Sequence, residues 1–432
     1  MKKNILISAY AISPTKGSEY AAAWNTVVNL AEQHQLWVLY GMSDDHMGDT
    51  EGLKLYLEEH VMPTVKFIEV KGGWLANSIN LLNKVGLGWF FYFAYYLWQK
   101  QALKAAQEIA KTVDIDVVHQ LGPIGFREPG FLHQLGKPLV WGPIGGMKIM
   151  DGELIATLPV KARLKFIVKN YINRYQLGYS FRIKAAFEKA DVLISATLLG
   201  RETIWQRFNR DSYYLPEQAA ACRVTPAADK FNNIDRQVDL VWSGSLIHRK
   251  NLKLCIDALA ALKQNNWKLH VLGDGPLRNE LENYATTKGI AGNITFYGHL
   301  PRKQALQIMV NAHLHMITSI AEDNPAVTFE AMSNGVPTLT IDHCGMGDVL
   351  CSKCGIKILP GNHSDMVKEM SCALDNLLCN TKILADMYHT TLVCANEHKW
   401  DKRLAKLNKI YDEAILAHAR HSIYPTHTLT MT

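Results

Sequence analysis

Short β-rich runs alternate with helical segments along almost all of this chain, and that order limits its fold more than any other feature. "KNILISAY" (3–10), "LWVLYG" (36–41), "VKFIEV" (65–70), "DVVHQL" (116–121) and "PLVWG" (138–142) read as strands. "SEYAAAWNTVVNLAEQ" (18–33) reads as a helix with Ser18 at its N-cap. Strands that are apolar throughout, separated by helices, describe a parallel sheet covered on both faces. The pattern lapses in "LPEQAAACRVTPAADKFNNIDRQ" (215–237), then restarts with "VDLVWSG" (238–244) and continues through "WKLHVLG", "ITFYG", "LHMITS" and "PTLTI". A chain of 432 residues is too long for one ordinary core. The expectation is an α/β protein of two Rossmann-like, doubly wound domains: 1–215, then 238–398 beyond a linker at 216–237. A helix at 399–420 returning towards the first domain and a frayed tail at 421–432 complete it. Ligands of such sheets bind beyond the carboxyl ends of the strands, so the expected site is a cleft where the two sets of ends face each other.

Composition removes several alternatives. Hydrophobic residues make up 48% and charged residues 20%, as in ordinary globular proteins. A net charge of +6 is too small and too dispersed to indicate a nucleic-acid partner. The N-terminus imitates a signal peptide, but its short mixed run reads better as a strand from Asn4 to Tyr10. Nothing approaches the ~18 apolar residues that a membrane span needs; the nearest is the aromatic run "GLGWFFYFAYYLW" (86–98). All eight cysteines lie in the second half. Cys351 and Cys354 form a CxxC, with His343 and Cys344 nearby at irregular spacing. Without a second matched pair, reduced thiols are expected rather than a metal, and no metal ligand is assigned.

"AEDNPAVTFEAMSNG" (321–335) carries the chemistry. Asn324 suits an N-cap, Pro325 the first helical position and Gly335 the C′ position, giving a helix over about 325–334. Glu322 lies just before it and Glu330 within it, among Val327, Phe329, Ala331 and Met332. A carboxylate in such surroundings needs a partner. A helix N-terminus attracts phosphate, and five residues of helix rise about 7.5 Å, roughly the span from a diphosphate to a nucleotide's ribose. Glu330 is therefore a candidate for ribose hydroxyls and Glu322 for the sugar beyond the diphosphate. "SGSLIHRKN" (243–251) brings Arg249 and Lys250 to a strand-to-helix turn, where a lysine can neutralise a diphosphate. "LGDGPLRNELE" (272–282) supplies Gly273 and Gly275 in a turn where a base could lie against backbone.

The succession G-x-L-x-x-x-K, L-G-D-G-P-L, F-Y-G and E-x7-E-A-M-x-x-G-x-P resembles the retaining glycosyltransferases of family 4, which have the GT-B fold. The likeness covers nearly all of 238–345 and reaches the first half through "ISAYAISPTKGSE" and "VWGPIGG". It implies that Lys250 binds the donor diphosphate, with Arg249, Gly17 and the backbone of Asn324 and Ala326 beside it. By the same likeness Glu330 holds the ribose, Gly273, Gly275 and Gly298 border the base, and Glu322 lies at the donor sugar. His119 is then a second catalytic candidate, and Glu19, Gly145 and Gly146 lie on the acceptor side. Two departures stand out. Ser245 occupies the place where the family has arginine, and Asp323-Asn324-Pro325 replaces a glycine-containing loop. His119 also lacks the second histidine of an H-x-H, since Leu121 is there.

From Leu154 to Phe187 there are seven Lys or Arg and no Asp or Glu, interleaved with apolar and aromatic residues. This reads either as a solvated basic face or as a contact for anionic lipid headgroups or a lipid-linked acceptor. The combined expectation is transfer of a hexosyl group, with retention, from a nucleotide-diphospho-sugar to a saccharide or lipid-linked saccharide. The resemblance implies front-face attack without a bound metal or cofactor, in assembly of a surface polysaccharide such as O-antigen, capsule or exopolysaccharide. The expected location is the cytoplasm, with contact to the inner face of the membrane. A nucleotide-sugar epimerase, or a non-catalytic sugar-nucleotide-binding partner of another transferase, are the alternatives.

Overall fold

The computed structural model describes residues 2–41, 50–84, 88, 90–220, 224–226, 229–232 and 234–423. The tail expected beyond 423, parts of the 216–237 linker, and Gly86, Leu87 and Trp89 of the aromatic run lie outside the described residues.

The chain divides into two compact units. The first comprises 1–148, 174–217 and 400–432; the second comprises 149–173 and 218–399. The first holds seven strands: β1 (Asn4–Ala9), β2 (Gln35–Tyr40), β3 (Val65–Glu69), β4 (Val117–Gly122), β5 (Leu139–Ile144), β6 (Val192–Ser195) and β7 (Tyr213–Tyr214). Every pairing is parallel, in the order β3-β2-β1-β4-β5-β6-β7. The second holds β8 (Val238–Ser243), β9 (Trp267–Leu272), β10 (Ile294–Gly298), β11 (Leu314–Ile317), β12 (Thr338–Ile341) and β13 (Gly355–Ile358). These too are all parallel, ordered β10-β9-β8-β11-β12-β13. The central strands are apolar because helices cover both faces, so β6, β11 and β12 are buried at every position. Two parallel doubly wound sheets of this kind define the GT-B fold.

Two assignments depend on core packing. Residues 149–173, read from the sequence as part of the first domain, cluster with the second unit. Leu154, Ile155 and Leu158 are buried there in one cluster with Trp242 and Leu240 of β8. The helix Trp400–Ile423 belongs to the first unit, where Leu404, Leu407, Ile410 and Tyr411 join the cluster formed by β1 and β4. The short strands β7 and β13 have too few residues to show a period in the sequence.

Candidate active site

In each sheet strand order reverses once, between β1 and β4 in the first and between β8 and β11 in the second. In doubly wound sheets the carboxyl ends beside that point are where ligands sit.

At the end of β8 the chain turns through Gly244 into a short 3₁₀ turn, His248–Lys250. Three bonds fix that turn to the end of β11. The Trp242 indole N–H donates to Thr318 Oγ1 at 3.1 Å, Thr318 Oγ1 donates to the Lys250 carbonyl at 3.1 Å, and Ile320 N–H donates to the Arg249 carbonyl at 2.9 Å. With the backbone held, both cations point at Glu322. Lys250 Nζ lies 2.6 Å from Glu322 Oε1. Arg249 Nη1 donates to that same oxygen and to the Ala321 carbonyl, the latter at 2.8 Å. The side chains of Lys250 and Glu322 are only 15% and 13% exposed. Burial lowers the Lys250 pKa, and the Glu322 carboxylate opposes that shift. Two cations thus share one carboxylate, leaving one positive charge for a further anion. Ser245 is exposed, so Arg249 is the guanidinium that this turn presents.

The helix that follows runs Ala326–Ser333 with Pro325 in the N-cap position. The sequence reading put the cap one residue earlier, at Asn324. Asn324 is instead buried in the loop, and the cap makes no side-chain hydrogen bond. The loop is set from below by residues to which the sequence reading gave no role. His343 Nε2 is 2.9 Å from the Ser319 carbonyl. A Cβ on Gly345 would lie 1.6 Å from the Asp323 carbonyl oxygen, so this glycine lets the loop settle on the turn after β12. A glycine directly after "DHC" at a strand end was the available signal.

Glu330 differs from the reading. The partner its position demands is present within the protein: Arg302 Nη2 donates to Glu330 Oε1 at 2.7 Å. The need for a partner therefore does not by itself point to a ribose. Gly273 and Gly275 differ as well, because the close approach they permit is to protein backbone. A Cβ on Gly273 would meet the Gly244 carbonyl oxygen at 2.1 Å, and one on Gly275 the Leu246 carbonyl oxygen at 2.6 Å. The two turns are laced together by Gly244 N–H to the Leu272 carbonyl and Leu246 N–H to the Asp274 carbonyl, both 2.9 Å. Gly298 bridges Gly273 in antiparallel fashion under the Arg278 guanidinium.

In the first unit, His119 lies within β4 rather than at its functional end, paired with Ile7 and Val140. It is fully buried, and both ring nitrogens are engaged: Nδ1 with Tyr411 Oη at 2.8 Å and Nε2 with the Gly142 carbonyl at 2.7 Å. Burial pushes its pKa down to about 4. Its place is therefore a neutral core clamp on the C-terminal helix, which corrects its reading as a catalytic group. Gly17 is exposed just before helix Glu19–Ala31, and the next residue, Ser18, has a positive φ of 58°. Glu19 lines a small pocket with Ala11, Thr26, Leu121, Pro143 and Glu217. Gly145 pairs with Gly125 just beyond β5, donating from its N–H to the Ile124 carbonyl at 2.8 Å, and Gly146 follows at φ 76°.

The basic segment forms the helix Val160–Tyr179, followed by Phe181–Lys189. Val160, Leu164, Val168, Tyr171, Tyr175 and Tyr179 recur at helical spacing and are all exposed. Not all seven cations are available to a partner. Arg163 bonds the Ala156 carbonyl at 2.7 Å, and Arg182 pairs with Glu128. Among the described residues no helix is long and apolar enough to cross a membrane.

Two parallel doubly wound sheets, with two cations converging at the switch point of the second, give the chain the GT-B fold. Residues 225–387 match the family model of glycosyl transferases group 1. Lipopolysaccharide 1,6-galactosyltransferase of Escherichia coli is 33% identical over 96 residues, which are 22% of this chain and 26% of that protein. The putative teichuronic acid biosynthesis glycosyltransferase TuaC of Bacillus subtilis is 23% identical over 255 residues, covering 57% of this chain and 63% of TuaC. The sequence matches thus span about a quarter to under two thirds of these relatives. Among solved structures, the lipopolysaccharide outer core galactosyltransferase WaaB is similar at TM-score 0.59 and 16% identity, over 96% of this chain and 99% of that one. HepE of Anabaena, solved with UDP-glucose, is similar at TM-score 0.56 and 15% identity, over 97% and 100% of the two chains.

Proposed function

We propose that the protein transfers a hexosyl group, with retention, from a uridine-diphospho-sugar to a saccharide or lipid-linked saccharide during assembly of a surface polysaccharide. The observation that carries this reading is the meeting of Arg249, Lys250 and Glu322 directly before the helix Ala326–Ser333. Those cations and the positive helix end suit a diphosphate leaving group, whose charge grows as the glycosidic bond breaks. In this scheme the β-phosphate takes Lys250 and Arg249, and Glu322 shifts towards the sugar. The departing phosphate oxygen accepts the proton of the attacking hydroxyl on the same face. Glu330 accepts from the ribose while remaining paired with Arg302, because a carboxylate has acceptor sites for both. The relatives are named for lipopolysaccharide and teichuronic acid synthesis, and HepE was solved with UDP-glucose; these support the choice of donor and pathway.

The exposed aromatic stripe of helix Val160–Tyr179, with Lys161, Lys165 and Arg174 also exposed on it, suits an anionic membrane surface. It is the element assigned to lipid contact on the cytoplasmic side.

The test is a thermal-shift screen of UDP-, GDP-, ADP- and dTDP-sugars, followed by transfer assays on lipid-linked acceptors with the donor that binds. A ligand at a hundred times its Kd stabilises by about 2.7 kcal/mol. Stabilisation by UDP-hexoses with release of UDP only when acceptor is present is expected. Silence across all four donors, or donor epimerisation without acceptor, would overturn the reading.

A further inference from the structure

The cysteines that the sequence leaves without a matched pair meet in the second unit. Cys351 and Cys354 lie on the turn that leads into β13, and Cys394 projects from the helix Lys382–Ala395. Cys351 Sγ is 3.2 Å from Cys354 Sγ and 2.7 Å from Cys394 Sγ, and all three sulfurs fall within 4.8 Å of one another. The turn is wound around sulfur. The Cys351 N–H donates to Cys354 Sγ at 3.1 Å, and the Cys354 N–H donates to the Cys351 carbonyl at 3.1 Å. Gly355 follows at once, and a Cβ there would meet the Thr338 carbonyl oxygen at 2.8 Å, so the knuckle is pressed against β12.

Three arrangements of thiols have to be weighed. Cysteines that merely fill a core pack as small apolar groups and need no shared focus. A disulfide uses two sulfurs and leaves the third with no role. One thiophilic cation uses all three, bound as thiolates. We propose that Cys351, Cys354 and Cys394 form a three-thiolate site for zinc(II), with the fourth position open to water on the exposed side at Cys351. Thiolate ligands select zinc over hard cations such as magnesium or calcium. Binding exchanges the thiol protons, which leave to solvent, for one metal ion, and no oxidation is involved.

The site has a structural consequence. Cys354 and Cys394 pack in one cluster with Phe329 and Met332 of the helix Ala326–Ser333. A metal here would join the turn before β13 to the helix Lys382–Ala395, and so hold both elements against that helix. The metal site itself rests on the sulfurs alone and not on the transfer reaction.

The full chain, purified under reducing conditions, is to be assayed for zinc by elemental analysis and reconstituted with cobalt(II) for absorption spectroscopy. About one zinc per chain is expected, with sulfur-to-cobalt charge transfer and the strong visible bands of a tetrahedral ion. Cys394→Ser should lower zinc content to background, whereas Cys372→Ser and Cys379→Ser, at exposed positions, should leave it unchanged. Cys351→Ser is the second variant, because its exposed side chain is removed without cost to packing. A zinc-free chain that also takes up neither cobalt nor cadmium would overturn the proposal. So would full zinc occupancy in either folded variant, or a Cys351–Cys394 disulfide in the reduced preparation. None of these readouts uses glycosyl transfer, so failure of the metal site is distinguishable from failure of the proposed activity.

Discussion

The two sheets reverse strand order at equivalent places, yet their carboxyl ends carry different chemistry. Beyond β8 and β11, Arg249 and Lys250 close on a nearly buried Glu322, and glycines let two turns interlock. Beyond β1 and β4, the pocket is lined by Ala11, Leu121 and Pro143, with acids at Glu19 and Glu217. The topology is common to both; the side chains at the reversal are not. A diphosphate needs concentrated positive charge, so the second unit is the donor side in the proposed reaction.

The sharpest way to break this contrast is Lys250→Ala set against Glu19→Gln. Loss of Lys250 removes an electrostatic contact to the leaving group and is expected to cost about 10²–10³ in kcat/KM. Glu19→Gln is expected to change the KM for acceptor and leave that for donor unchanged. Steady-state transfer with each substrate varied in turn measures both. Equal effects on the donor KM would show that donor binding is not confined to the β8/β11 end.

Gly273→Ala tests whether the interlocked turns belong to the site or only to the fold. At φ 132° and 2.1 Å from the Gly244 carbonyl oxygen, a methyl group forces backbone apart. A loss of about 3 kcal/mol is expected in denaturant unfolding. An alanine variant of unchanged stability with a raised donor KM would restore the reading of Gly273 as a base contact.

His119 tests the other end. Its pKa is near 6.5 when unfolded and is pushed to about 4 in the fold, first by burial and then by the charge of Arg403, against the Gly142 hydrogen bond. The unfolded chain therefore binds the extra proton between those values. The stabilisation is present above about pH 6.5 and is lost as pH falls towards 4, amounting at most to about 3 kcal/mol. Burial lowers the pKa of His34, His313 and His315 too, so the informative quantity is the difference between proteins. His119→Gln should flatten the fall in stability over that window and leave kcat at neutral pH within about threefold, since no ring nitrogen faces substrate. A large fall in kcat at unchanged stability would return His119 to the catalytic groups.

The contrast between the units also marks what the sequence makes legible. Alternation of apolar strands and helices gives both sheets, because strands buried on both faces leave continuous apolar runs. The strand-end positions of Lys250 and Glu322 follow from the same pattern. Pairings between distant segments leave no such trace. Arg302 reaches Glu330 across 28 positions, Tyr411 reaches His119 across 292, and Cys394 reaches Cys351 across 43. Each changes the meaning of a residue that had been singled out locally. Glu330 acquires a protein partner, His119 leaves the site, and a CxxC too short to bind metal gains a third thiol. The placement of 149–173 is hidden for the same reason, since its apolar residues look alike whichever core receives them.

The smallest predicted effect separates the two explanations of Glu330. Arg302 is 69% exposed, so its ion pair with Glu330 is well screened, and Arg302→Ala should cost no more than about 1 kcal/mol of stability. If Glu330 serves only that pair, Glu330→Gln and Arg302→Ala behave alike, and the double variant loses no more than either single one. If Glu330 also takes the ribose hydroxyls, Glu330→Gln raises the donor KM by about tenfold, the equivalent of about 1.4 kcal/mol, because a charged acceptor becomes a neutral one. Arg302→Ala then leaves that KM nearly unchanged. The double-mutant cycle on donor KM thus isolates the ligand's share of Glu330 from the protein's share, which stability measurements alone would merge.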